Sequence, residues 1–182
     1  MRDLGAIYPP KNFTRLVQAY AKVGPEAGIS LVVAGGENRF LSEHELKVPD
    51  ALGLGAWVKW LGWVEPALLP TLYQMAEVLL LPSLFESYGL PIFEAMASGC
   101  PVLTSNRFGS QEIAADAALL VDPESVEAIA AGMRRLANEP ELRTRLVAAG
   151  LERVRPLTWA RCAEQTIGVL EHFAAHPRYV NG

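Results

Sequence analysis

Three short, mostly apolar runs, Val78-Leu79-Leu80-Leu81, Val102-Leu103-Thr104 and Leu119-Leu120-Val121, recur along the chain with helix-length segments between them. A strand with one wet face alternates polar and apolar residues, whereas a run apolar on both faces needs a cover on each side. Strands joined through helices run parallel. The pattern therefore predicts a doubly wound, Rossmann-like α/β fold, with any ligand at the carboxyl ends of the strands. Further strands are expected over residues 4–8, 30–34 and 56–60. Phe13, Leu16, Val17 and Tyr20 repeat at helical spacing behind Asn12, which reads as a helix cap. A short helix is expected within 37–50, and Pro66 opens another that buries Leu68, Leu69, Leu72 and Tyr73. The final third reads as helices over 123–138, 139–155 and 158–175, the last capped by Thr158 and anchored by Trp159. No repeat or low-complexity linker interrupts the chain, and its 182 residues suit one domain, 1–182.

The stretch PSLFESYGLPIFEAMASGCPVLTS bears most directly on function, because Glu86 and Glu94 flank a Gly89-Leu90-Pro91 turn between two of the buried strands. Pro91 suits a first helical turn, so a helix is expected from about Leu90 to Gly99, with Glu86 in the loop and Glu94 in the first turn. The backbone amides of Gly89, Leu90 and Ile92 are then expected to lie free at the positive helix end, and Gly89 lets an anion come close to the backbone. A phosphate suits those amides, and hydroxyls suit the two carboxylates, which accept hydrogen bonds. A nucleoside diphosphate sugar has that order of groups.

Around this stretch the chain carries Lys11-Asn12, Leu31-Val32-Val33-Ala34-Gly35-Gly36, Trp60-Leu61-Gly62-Trp63-Val64, Leu72-Tyr73, Gly99-Cys100-Pro101-Val102, Ser105-Asn106, Glu112 and Ala118-Leu119-Leu120-Val121-Asp122-Pro123. The ordered set resembles the carboxyl-terminal, donor-binding domain of retaining glycosyltransferases of the GT-B fold, the family four or group 1 transferases. The resemblance implies Glu86 and Lys11 as catalytic groups, Lys11 neutralising the diphosphate and Glu86 addressing the transferred sugar. It implies Glu94 on the ribose hydroxyls and Ser87, Tyr88, Gly89 and Leu90 along the sugar and phosphates. Gly5, Trp63 and Val64 complete the implied donor site, the last two near the base, while Trp57 and Trp60 are expected in the core. Ala6 stands where many relatives carry an arginine, which leaves a second phosphate cation without a candidate.

The resemblance further implies transfer of a sugar with retention at the anomeric carbon, with no cofactor and no metal. The chain is expected to be the carboxyl half of a longer transferase and inactive alone. Residues 158–175 would cross to an N-terminal acceptor-binding domain of the same transferase. A GT-B-like epimerase or hydrolase half, or a non-catalytic binding domain, would use the same fold.

A formal charge of −4 gives no bulk attraction to nucleic acid or anionic lipid, so no nucleic-acid partner is expected, and membrane association only through the missing half. Eight arginines against five glutamates from Arg134 onward read as solvated helix faces. Two scattered cysteines and no spanning-length apolar run suit a cytoplasmic protein. His172 and His176 have metal-ligand spacing but lack the glutamate of H-E-x-x-H and a third ligand, and read as a solvated helix end.

Overall fold

Parallel strands form two sheets in the computed structural model, which describes residues 9–35 and 43–175, without the side chains of 43 and 44. The strand expected over 4–8, with Gly5, lies outside the described residues, as do Gly36 and His176. A 3-10 turn, Pro9–Lys11, leads into α1 (Phe13–Ala21), α2 (Gly24–Ala27), β1 (Leu31–Ala34), α3 (Glu43–Ala51) and β2 (Val58–Gly62). A second 3-10 turn, Pro66–Leu68, precedes α4 (Leu69–Gln74), β3 (Leu79–Leu81), α5 (Leu90–Ala97), β4 (Val102–Ser105), α6 (Phe108–Ala114) and β5 (Leu119–Val121). Helices α7 (Val126–Asn138), α8 (Pro140–Val154) and α9 (Trp159–Ala175) follow.

Strand β1 pairs with β2, and β3, β4 and β5 pair in that order, with Leu80 opposite Leu103 and Thr104 opposite Leu120. Side chains alternate across a strand. Leu80, Leu103 and Val121 therefore join one core with α1, α7 and α8, while Leu79, Leu81 and Val102 join another with α4, α5 and α6. Both faces of the three-stranded sheet are thus covered by helices, as its apolar runs require. Strand β5 coincides with its expected range, and β1, β3, β4 and the helices α1, α3, α5, α7 and α8 fall within a few residues of theirs.

Five expectations need correction. Strand β2 runs over Val58–Gly62 rather than 56–60: the Trp57 amide turns back to Leu54 O, and only its carbonyl, which accepts from the Leu31 amide, reaches β1. Leu68 is 59% exposed and Leu72 only half-buried, since the tighter 3-10 winding at Pro66–Leu68 takes Leu68 off the face that buries Leu69 and Tyr73. Trp60 is exposed rather than core. It lies in β2, which pairs on one described side only, and rests its ring 5.4 Å from that of Phe13. Helix α7 starts at Val126, because Ser125 caps it by accepting the Ala128 amide at 3.1 Å. Trp159 anchors nothing among the described residues: it is 90% exposed, and α9 buries no residue, although Thr158 does cap it through the Arg161 amide. Cys100 is buried, which pushes its thiol up to about 11, and Cys162 is exposed on α9. Among the described residues no helix is long and apolar enough to cross a membrane.

Candidate functional site

Three segments converge at the carboxyl ends of β3, β4 and β5. The first is the 3-10 turn before α1, where Asn12 takes a left-handed conformation (φ 62°, ψ 34°) and is buried. Asn12 occupies the cap position of α1 but makes no cap bond, which corrects the expected role. Its amide instead donates to Pro82 O at 2.9 Å and Pro123 O at 2.6 Å, tying together the chain just beyond β3 and β5. Beside it the Leu84 amide donates to Pro10 O at 2.7 Å. These bonds fix Lys11, whose Nζ lies 3.1 Å from Glu86 Oε2, with both side chains about nine-tenths buried (9% and 10% exposed). Ser83 Oγ approaches the same oxygen at 3.4 Å. The two residues expected to be catalytic are therefore an ion pair.

The second segment is the turn itself. Gly89 is buried at φ 60°, and a Cβ there would come within 3.1 Å of both Ile92 Cδ1 and Ile113 Cδ1, so conformation and space both call for glycine. Helix α5 then starts at Leu90 with Pro91 in its first turn. The Ile92 amide donates to Gly89 O at 2.8 Å, so it is not among the free donors, contrary to expectation. The amides of Ser87, Tyr88, Gly89 and Leu90 donate to no other described residue. Ser87 and Leu90 are exposed, as is Tyr88, whose ring lies 5.8 Å from that of Phe93. Glu94 sits past the first helical turn, a further correction, where its Oε2 accepts from the Tyr73 hydroxyl at 3.0 Å.

The third segment is the start of α6. The Gly109 amide donates to Glu86 O at 3.1 Å, and Phe108, at φ 50°, sets its exposed ring 5.4 Å from that of Phe85. A Cβ at position 109 would stand 2.4 Å from Glu86 O and 2.9 Å from Ser87 O, both main-chain atoms that cannot swing aside. Gly109→Ala is expected to displace the turn and, with the nucleoside diphosphate expected from the sequence seated there, to lower its affinity at least about tenfold, since misplacements near 1 Å can cost roughly 100-fold at a reacting centre. Calorimetric titration checks this. An unchanged affinity would show that the turn tolerates the shift.

Trp63 is 70% exposed, while Val64 packs against the core around α4 and α5. No hydrogen bond or ring contact joins Trp63 to the turn among the described residues. Sequence reasoning missed Tyr73, Gly109 and the reach of Asn12. Tyr73 looked like an ordinary core residue, and only a glycine just beyond a strand hinted at Gly109. Among the described residues no group of three His, Cys, Asp or Glu side chains could hold a metal ion.

Chemically, one buried cation, a carboxylate beside it, four open amides and a second carboxylate held by a phenol follow one another around a single turn. The family described as "Glycosyl transferases group 1" matches residues 4–153. The chain is 32% identical over 165 residues to the O-antigen chain mannosyltransferase B of Escherichia coli, covering 90% of this chain and 43% of that protein. It spans less than half the length of the curated relatives it matches. Its fold is similar to the C-terminal domain of a group 1 glycosyl transferase from Francisella tularensis (TM-score 0.74, 25% identity), over 84% of this chain and 82% of that one. The Anabaena protein HepE, solved with UDP and glucose, shares the fold at TM-score 0.83 and 19% identity, over 94% of this chain and 47% of that one. From its sequence and its fold alike, the chain belongs to the group 1 glycosyl transferases, and it matches a stretch the size of a C-terminal domain of that family.

Proposed function

We propose that this chain binds a nucleoside diphosphate sugar across the 82–94 turn and, joined to an acceptor-binding domain, serves transfer of the glycosyl group with retention of configuration. The observation that carries this reading is the turn's sequence of groups: the Lys11 and Glu86 pair, then the open amides of Ser87 to Leu90, then Glu94. Lys11 and the amides suit a diphosphate, Glu86 the sugar hydroxyls, and Glu94 the ribose diol. Charge-assisted contacts of this kind contribute about 1.5–3 kcal/mol each. They also stabilise the charge that develops on a leaving diphosphate, because they are fixed before it departs. The relatives' names support sugar transfer, and the neighbour solved with UDP and glucose supports a nucleotide-linked donor. Along α9, Trp159, Ile167, Leu170 and Phe173 are exposed and fall on one side at 3.6-residue spacing, an apolar stripe suited to the transferase's other domain.

Nucleoside diphosphates at about 100 times Kd are expected to stabilise the chain by about 2.7 kcal/mol, a rise in melting temperature of about 5–10 °C for a chain of this size. Glu94→Ala removes most of that rise. Equal shifts in wild type and variant would take Glu94 out of the site.

A further inference from the structure

We propose that Tyr73 is a positioning residue for Glu94 and, through it, a determinant of selectivity for ribonucleotides over 2′-deoxyribonucleotides; the inference rests on the reading above that Glu94 meets the ribose. Tyr73 lies on α4, outside the turn, and is 1% exposed. Its ring is packed in the core with Leu69, Leu79, Ile92 and Met96, a place that phenylalanine would fill equally well. Packing alone therefore does not account for the hydroxyl. That group is directed to Glu94 Oε2 at 3.0 Å, from one helix to the next.

A glutamate side chain has several rotatable bonds, and fixing it on a ligand costs rotamer entropy that a pre-formed bond removes from the binding step. The Glu94 backbone is also held, since its carbonyl accepts the Ser98 hydroxyl at 2.8 Å and the Ser98 amide at 3.1 Å. The phenol thus sets the carboxylate plane on a fixed backbone. A carboxylate offers about four lone-pair directions, and the phenol donor occupies one of them. A site built to accept from a hydroxyl discriminates strongly against a ligand that lacks it, and the discrimination is sharpest when the acceptor is already in place.

The test is calorimetric titration of the chain with UDP, GDP and ADP and with their 2′-deoxy counterparts. For the ribonucleotide that wild type binds, Tyr73→Phe is expected to weaken binding roughly tenfold, the effect of a charge-assisted hydrogen bond. The same variant leaves the 2′-deoxy nucleotide within about twofold, because that ligand lacks one of the hydroxyls Glu94 would meet. The ribo-to-deoxy ratio therefore collapses. Glu94→Asp, which withdraws the carboxylate from the phenol by one methylene, lowers the same ratio with Tyr73 in place. Equal weakening of both ligands by Tyr73→Phe would assign the residue a purely structural role and overturn the proposal, as would no weakening of either. If Glu94→Gln loses the ratio while Tyr73→Phe keeps it, the proposal alone falls. If Glu94→Gln binds as wild type does, or no nucleoside diphosphate binds at all, the underlying donor-site reading falls and takes the proposal with it.

Discussion

Lys11→Met is expected to lower the unfolding free energy by about 3 kcal/mol, at the lower end for removing one partner of a buried ion pair. In a chain of this length that is a fall in melting temperature of about 6–12 °C. The reason lies in what is left behind: with Lys11 gone, the Glu86 carboxylate, 10% exposed, faces only the Ser83 hydroxyl at 3.4 Å among its described partners. Glu86→Gln is expected to destabilise for the converse reason, by taking from the buried ammonium a carboxylate that balances it. The double variant Lys11→Met, Glu86→Gln then recovers part of the loss, because neither member of this pair leaves the other's charge behind. Urea unfolding at constant slope measures all three. Strictly additive losses would show that the pair does not couple. Ligand binding separates stability from function. On the proposed reading, in which the diphosphate meets the ammonium that Glu86 holds, the double variant is expected to fold and still fail to bind a nucleoside diphosphate.

Asn12→Ala combines two penalties. It strips donors from Pro82 O and Pro123 O, two buried carbonyls at the ends of separate strands, and each carbonyl left unsatisfied costs about 1–3 kcal/mol. It also forces a residue with a Cβ and no compensating local bond into the left-handed region at φ 62°, a strain of about 1–2 kcal/mol. A total of at least about 3 kcal/mol is expected, with Lys11 losing its fixed place as well. Asn12→Gly keeps the backbone conformation and loses only the bonds, so it should be about 1 kcal/mol more stable than Asn12→Ala. Equal midpoints for the two in urea would remove the conformational part of the account.

Local pattern carried most of the fold. The buried strands were legible because a sheet covered on both faces leaves runs such as Leu79-Leu80-Leu81 with no polar residue to interrupt them. The turn was legible because Gly89 and Pro91 each have a narrow set of permitted conformations. The errors have a common origin in contacts made far along the chain or in register. Asn12 looks like a cap because its neighbours in sequence form a helix, yet its side chain is claimed by carbonyls at 82 and 123. The Ile92 amide looked free by position and is turned back onto Gly89 O. Trp159 looked like an anchor because large aromatic residues near a helix start usually pack, and here no described surface reaches it. Tyr73 was legible as core, but nothing in its spacing says that a hydroxyl at the end of a buried ring will meet Glu94.

The clasp among the three loops has a consequence for how such a site can change over generations. Two of its bonds, Leu84 amide to Pro10 carbonyl and Gly109 amide to Glu86 carbonyl, run between main-chain atoms. Side chains at exposed positions such as Phe85, Ser87, Tyr88 and Phe108 can be exchanged without touching either bond. Loop length is more constrained, because a residue inserted beside Pro10, Leu84, Glu86 or Gly109 would move an amide relative to its carbonyl. The side chains around the turn can thus vary, while the main-chain clasp that carries them ties the lengths of its segments to one another.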